Sequence, residues 1–73
     1  MKDRKVTEMW AIAYIDATNT FNYFTKLGFL NMPEWVGESR KDEARKFYTA
    51  YEAQRFCKEH IGAVGRKYRI VSI

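Results

Sequence analysis

A helix-start signal in the second half of the chain constrains the fold more than any other feature. In the sequence Thr49-Ala-Tyr-Glu52, threonine and glutamate have the spacing of a capping box, in which each side chain bonds a backbone N–H left unpaired by the first turn. Ala53 and Phe56 follow at helical spacing and predict one apolar face that ends near residue 60. Gly62 then predicts a left-handed helix end. The chain therefore contains an amphipathic helix that must lie on another apolar surface.

Two segments before this helix alternate in the manner of strands. Residues 9–15 place large side chains on one side and Ala11 and Ala13 on the other, and we expect the helix on the small side. Residues 21–27 alternate again, so that every second side chain should share one face. The polar residues 16–20 between them have the composition of a turn. Together the two segments predict an antiparallel hairpin.

The remaining segments complete the predicted fold. Residues 66–73 are rich in β-branched side chains and predict a final strand beside the first one. Ser39 is placed to cap a second, short helix that ends near residue 46, with Ala44 and Phe47 pointing inward. Glycine and proline interrupt residues 28–39, which predicts a loop. The result is an α+β fold, a small antiparallel sheet in the order β-β-α-α-β with both helices packed on one face.

The predicted middle loop is unusually apolar for a connection, because long connections normally lie on the surface and are polar. One interpretation is that the loop folds over an open end of the sheet and supplies core residues. The other is that it presents partner-binding side chains, since aromatic residues dominate interface hot spots. Large aromatics are usually well buried, which favours a core role for the tryptophan. The candidate partner-binding residues are Phe29, Leu30, Met32 and Trp35.

Positive charge is concentrated near the two ends of the chain. The net charge is +4, and the central part is close to neutral. If the ends are neighbours in the fold, they form a basic patch that attracts phosphates, with Tyr14 and Tyr68 as candidate stacking groups. The alternative is that these charges only maintain solubility and protect sheet edges. The candidate nucleic-acid patch consists of Lys2, Arg4, Lys5, Arg66, Lys67 and Arg69.

Catalytic, metal and cofactor signatures are missing from the sequence. The 73 residues form one small domain, residues 1–73, with a single cysteine, which fits a reducing cytoplasm. The apolar stretch after the charged amino terminus is too short for a signal peptide or a membrane span. Cys57 and His60 lie one helical turn apart, but zinc or nucleophilic chemistry needs further ligands or an oxyanion donor. We therefore expect a soluble, non-enzymatic protein without cofactors.

A pattern of capping and packing residues links the chain to a broad group of proteins. A strand bearing tryptophan precedes Ala44, Phe47, Thr49, Glu52 and Ala53, and a basic final strand follows. This pattern resembles small accessory proteins encoded by bacteriophages and other bacterial mobile elements. The resemblance implies a protein-interaction module that binds and modulates or inhibits a host or defence protein, with self-association left open. The alternative function is a small basic nucleic-acid-binding regulator.

Overall fold

The computed structural model of the chain describes residues 8–65 and 67–73. Strand β1 (Trp10–Ile15) and strand β2 (Phe21–Leu27) form the predicted antiparallel hairpin. Strand β3 (Pro33–Gly37) pairs with β2, and strand β4 (Tyr68–Ser72) pairs with β1. The sheet is antiparallel throughout, in the order β3-β2-β1-β4. Helix α1 (Ala50–His60) contacts β1 and β4.

The predicted order β-β-α-α-β with two packed helices is wrong in its middle part. Pro33 begins an edge strand, a position where proline's missing N–H costs no ladder hydrogen bond. The expected second helix is a 3-10 segment, Glu38–Glu43, which is interrupted at Arg40 and has no side-chain cap from Ser39. Its six residues contain no large apolar side chain, so an α-helix here would have no face to bury.

The sheet buries side chains on both of its faces. On the α1 face, Ile12 and Phe24 pack against Phe47, Ala53 and Cys57. The expectation that the helix would lie on the alanine side of β1 is therefore wrong. The alanines belong to a second cluster on the opposite face, which consists of Ala11, Ala13, Tyr23, Val36 and Ala44.

The segment between β3 and α1 is tied to the sheet at three points, one of which is a 2.9 Å hydrogen bond from the Arg45 N–H to the Phe24 carbonyl. The Tyr23 hydroxyl donates to the Glu38 carboxylate at 2.9 Å, and burial together with this hydrogen bond raises the pKa of Tyr23 to about 12. Further along, Trp10 and Phe47 exchange two backbone hydrogen bonds of 2.9 and 2.8 Å. Ala44 and Phe47 are buried, as the sequence predicted.

A bulge in β2 changes which face its last residues occupy. The pairing of β2 with β3 shifts between Phe24 and Lys26, because β2 advances by two residues there while β3 advances by one. Leu27 consequently packs in the α1-face cluster, whereas Phe21 and Tyr23 belong to the opposite face. The strict alternation predicted for residues 21–27 holds only before the bulge.

At the start of helix α1 the Thr49 hydroxyl makes its half of the predicted capping box, whereas the Glu52 side chain makes no bond to the Thr49 N–H, and the helix end also differs from the prediction. The Thr49 hydroxyl accepts a hydrogen bond from the Glu52 N–H at 3.0 Å. At the other end, the N–H groups of Ile61 and Gly62 both donate to the Cys57 carbonyl at 2.8 Å. Gly62 does not adopt a left-handed conformation, which corrects the predicted helix stop. What it provides is space, because a Cβ at this position would lie 2.8 Å from the Tyr68 ring.

Candidate functional site

Three large apolar side chains stand exposed together where β2 turns into β3. The turn is closed by a 2.7 Å hydrogen bond from the Gly28 N–H to the Met32 carbonyl. Between these residues the chain makes one 3-10 turn, Phe29–Asn31, with no buried residue. Phe29 is 83% exposed, Leu30 77% and Met32 63%. We call Phe29, Leu30 and Met32 the hairpin tip.

The backbone of the hairpin tip is strained at a residue that does not favour its conformation. Leu30 and Asn31 have φ values of 56° and 58°, in the left-handed region. Asparagine tolerates this region, but for leucine it costs on the order of 1–2 kcal/mol because Cβ approaches the following carbonyl. The leucine side chain is exposed, so its own packing within the molecule does not offset this cost. Strain of this kind is characteristic of functional sites.

Trp35, the fourth residue in the predicted partner-binding set, lies apart from the hairpin tip. It projects from β3 on the α1 face and is half-buried. Its ring meets Tyr14 edge-on at a centroid distance of 4.7 Å and stacks on Tyr68 at 5.9 Å with an angle of 11°. It also contacts Phe24. The structure therefore separates the predicted set into an exposed apolar tip and an aromatic cluster.

Two of the six residues in the predicted basic patch, Lys67 and Arg69, lie among the described residues. Lys2, Arg4, Lys5 and Arg66 lie outside the described residues. The Lys67 ammonium group stands 5.6 Å from the ring centroids of both Tyr14 and Tyr68. Arg69 is exposed on β4 and is paired with Ala13 of β1. One lysine of the predicted patch is thus in contact with both tyrosines proposed as stacking groups.

Cys57 and His60 have surroundings that suit packing. Cys57 is fully buried, its thiol donates to the Gly62 carbonyl at 3.3 Å, and burial raises its pKa, which lowers the fraction of reactive thiolate. His60 packs against the Phe56 ring at a centroid distance of 4.5 Å. Within residues 8–65 and 67–73, no three His, Cys, Asp or Glu side chains are grouped as a metal site requires.

Two exposed aromatic residues were not singled out from the sequence. Tyr48 is 79% exposed and Tyr51 is 70% exposed, at the start of α1. Tyr51 could have been placed on the outer face, because it lies two residues before the inward-facing Ala53. Tyr48 precedes the cap, where helical periodicity gives no information about exposure.

Comparison of the chain with protein-family models, with curated proteins and with solved structures gave no match. None of the helices in the described part of the chain is long and apolar enough to cross a membrane. The functional argument therefore rests on the surfaces of the molecule itself.

Proposed function

We propose that this protein is a non-enzymatic interaction module that binds another protein through its hairpin tip. The observation that carries the proposal is the exposure of Phe29, Leu30 and Met32 on one tight turn. Single exposed apolar residues are ordinary on protein surfaces, but contiguous ones mark interaction sites. An apolar pocket on the partner protein would accept such a tip.

The left-handed Leu30 gives this proposal a second support. Folding alone favours glycine or asparagine at such a position, and a leucine there lowers the stability of the free protein. A pocket that buries the leucine side chain would recover about 1.5–3 kcal/mol from removal of apolar surface from water. The tight turn also fixes the backbone that carries the three side chains before binding, which reduces the ordering cost of association.

The kind of partner follows from the sequence resemblance described above. Small accessory proteins of bacteriophages and mobile elements act inside the bacterial cytoplasm, so we propose a host or defence protein that is modulated or inhibited by binding. Self-association through the same tip is the competing outcome, because two copies can bury one another's apolar surface.

The test compares a variant of the hairpin tip with a variant in which a similarly exposed aromatic residue elsewhere is changed. We expect the double variant Phe29→Ser/Met32→Ser to melt within a few degrees of the wild-type protein, because exposed side chains contribute little to folding. Capture of a bacterial protein from nuclease-treated lysate, followed by reconstitution with the purified partner, should then fail for this variant. The control Tyr48→Ser removes an aromatic side chain that is 79% exposed and should leave binding unchanged.

Two results would count against the proposal. If Phe29→Ser/Met32→Ser unfolds the protein, the hairpin tip serves the fold. If the control Tyr48→Ser loses binding to the same degree, binding does not depend on the tip. Sedimentation of the wild-type protein and the tip variant distinguishes the remaining outcome, because only self-association makes the sedimentation coefficient depend on the tip and on concentration.

A further inference from the structure

We infer that an aromatic surface at the other end of β2 and β3 binds single-stranded nucleic acid, independently of the hairpin tip. The surface consists of Tyr14, Trp35 and Tyr68 with the Lys67 ammonium group beside them, and we call it the end cluster. Its three aromatic residues are half-buried, so each retains some solvent-accessible surface. It lies on the α1 face of the sheet.

The sheet register explains how three strands contribute to this one surface. Tyr14 pairs with Tyr68 on one side and with Asn22 on the other, and Asn22 pairs with Gly37. Strands β3 and β4 are about 14 Å apart, since two strands lie between them. The Trp35 ring nevertheless reaches within 5.9 Å of Tyr68, so it must extend across the sheet. The same register places the short side chain of Asn22 on this face, next to Tyr14.

The charges around the end cluster favour an anionic partner. Lys67 and Arg69 take part in none of the ion pairs that lysine and arginine form among the described residues, which are Arg40–Glu43, Lys41–Glu38 and Arg55–Glu59. Arg69 lies on the opposite face of β4, which is an edge strand. A phosphate backbone that crosses this edge would meet both cations in turn. The whole chain, at +4, adds long-range attraction.

One carboxylate lies near the cluster in sequence and is already engaged. Asp16 follows β1 two residues after Tyr14, and its oxygens accept hydrogen bonds from Thr18, Thr20 and Asn22 at 2.6 to 3.1 Å. These bonds hold the Asp16 charge inside its own turn. One of them also holds Asn22, the residue of β2 that pairs with Tyr14.

Single-stranded nucleic acid is the partner whose chemistry matches both parts of the surface. Unpaired bases stack on aromatic rings, while lysine and arginine neutralise the phosphates. In a duplex the base faces are already stacked, so a duplex would use only the cations. An acidic peptide would likewise use only the cations.

The experiment measures binding of a labelled single strand of about 12 thymidines by fluorescence anisotropy. We expect wild-type affinity to fall by about tenfold or more between about 50 and 200 mM salt, because neutralised phosphates release counterions. A duplex of the same length should bind more weakly. In the background variant Trp10→Phe, the remaining Trp35 fluorescence should be quenched on binding, which charge attraction alone would not produce.

Two lysine variants separate this surface from general charge attraction. Lys67→Gln should weaken binding by about fivefold and reduce the salt slope by about one. Lys58→Gln, an identical charge change on the exposed side of α1, should change affinity by less than about twofold. Because both lysines are exposed, neither substitution should impair folding.

Several results would overturn the inference. These are no binding at the lower salt concentration, equal losses in the two lysine variants, equal affinity for the duplex, or unquenched Trp35 fluorescence. The variant Phe29→Ser/Met32→Ser should bind the oligonucleotide as the wild-type protein does. Failure of the hairpin-tip proposal therefore leaves this inference intact, and the reverse also holds.

Discussion

At the scale of single residues, Gly62 shows how one missing side chain controls the packing of an aromatic ring. The Tyr68 ring occupies the space that a Cβ at position 62 would need, and Trp35 stacks on the same ring. We expect Gly62→Ala to displace Tyr68 and lower the free energy of unfolding by about 1–3 kcal/mol, as overpacking does. Urea denaturation measures this directly.

A second glycine provides the matched control for that experiment. Gly37 has a φ of −81°, and a methyl group added there would meet no atom within 4 Å, so alanine fits without strain. Gly37→Ala should leave stability unchanged or raise it by about 0.4–1 kcal/mol through the unfolded chain. Equal losses in the two variants would mean that the contact with Tyr68 is not the cause.

Asp16 links a single carboxylate to the acid stability of the protein. Hydrogen bonds from Thr18, Asn22 and Thr20 lower its pKa from 3.8 to about 2. Its stabilising contribution is therefore complete above about pH 4 and is lost as the pH falls through 2. We expect Asp16→Asn to flatten the fall in stability between pH 4 and 2, measured as denaturation midpoints over this range. An unchanged pH profile would contradict the role assigned to this turn.

At the scale of elements, α1 depends on its cap for a well-defined beginning. Thr49→Ala removes the acceptor for the Glu52 N–H and should cost about 1 kcal/mol of stability. Thr49→Ser keeps the hydroxyl and should stay close to the wild-type value. Chemical denaturation followed by circular dichroism gives both numbers. A loss in the serine variant as large as that in alanine would show that the methyl group, and not the cap, is what matters.

The elements that the sequence predicted well are those whose signal is local. Three signals each indicate the local structure from residues that are close together in the sequence. They are the capping threonine, the alternation in β1 and the β-branched final strand. Strand β3 was missed because Pro33 and Gly37 mark its two ends, and those residues normally indicate a loop. Whether a proline can begin a strand depends on its position at the sheet edge, which is a property of the assembled sheet.

At the scale of the whole molecule, the sequence predicted the α+β class and both neighbours of β1, but neither the edge strand β3 nor the helix side. The face of β1 that α1 covers is decided by side chains far away in sequence, such as Phe24 and Phe47, which fill the α1 face with Ile12. The same limit applies to the candidate sites. The exposed side chains of the hairpin tip could be predicted because the loop is apolar. The contact of Trp35 with Tyr68 could not be predicted without knowing the register of all four strands.

The left-handed leucine of the hairpin tip implies that selection for stability and selection for binding should diverge at one position. In a library of all substitutions at position 30, a screen for thermal or protease resistance should enrich glycine and asparagine, because they relieve the backbone conformation. A screen for partner binding should instead retain leucine and other large apolar residues. The difference in stability between the residues enriched by the two screens would then measure how much stability the protein loses at position 30 in favour of binding.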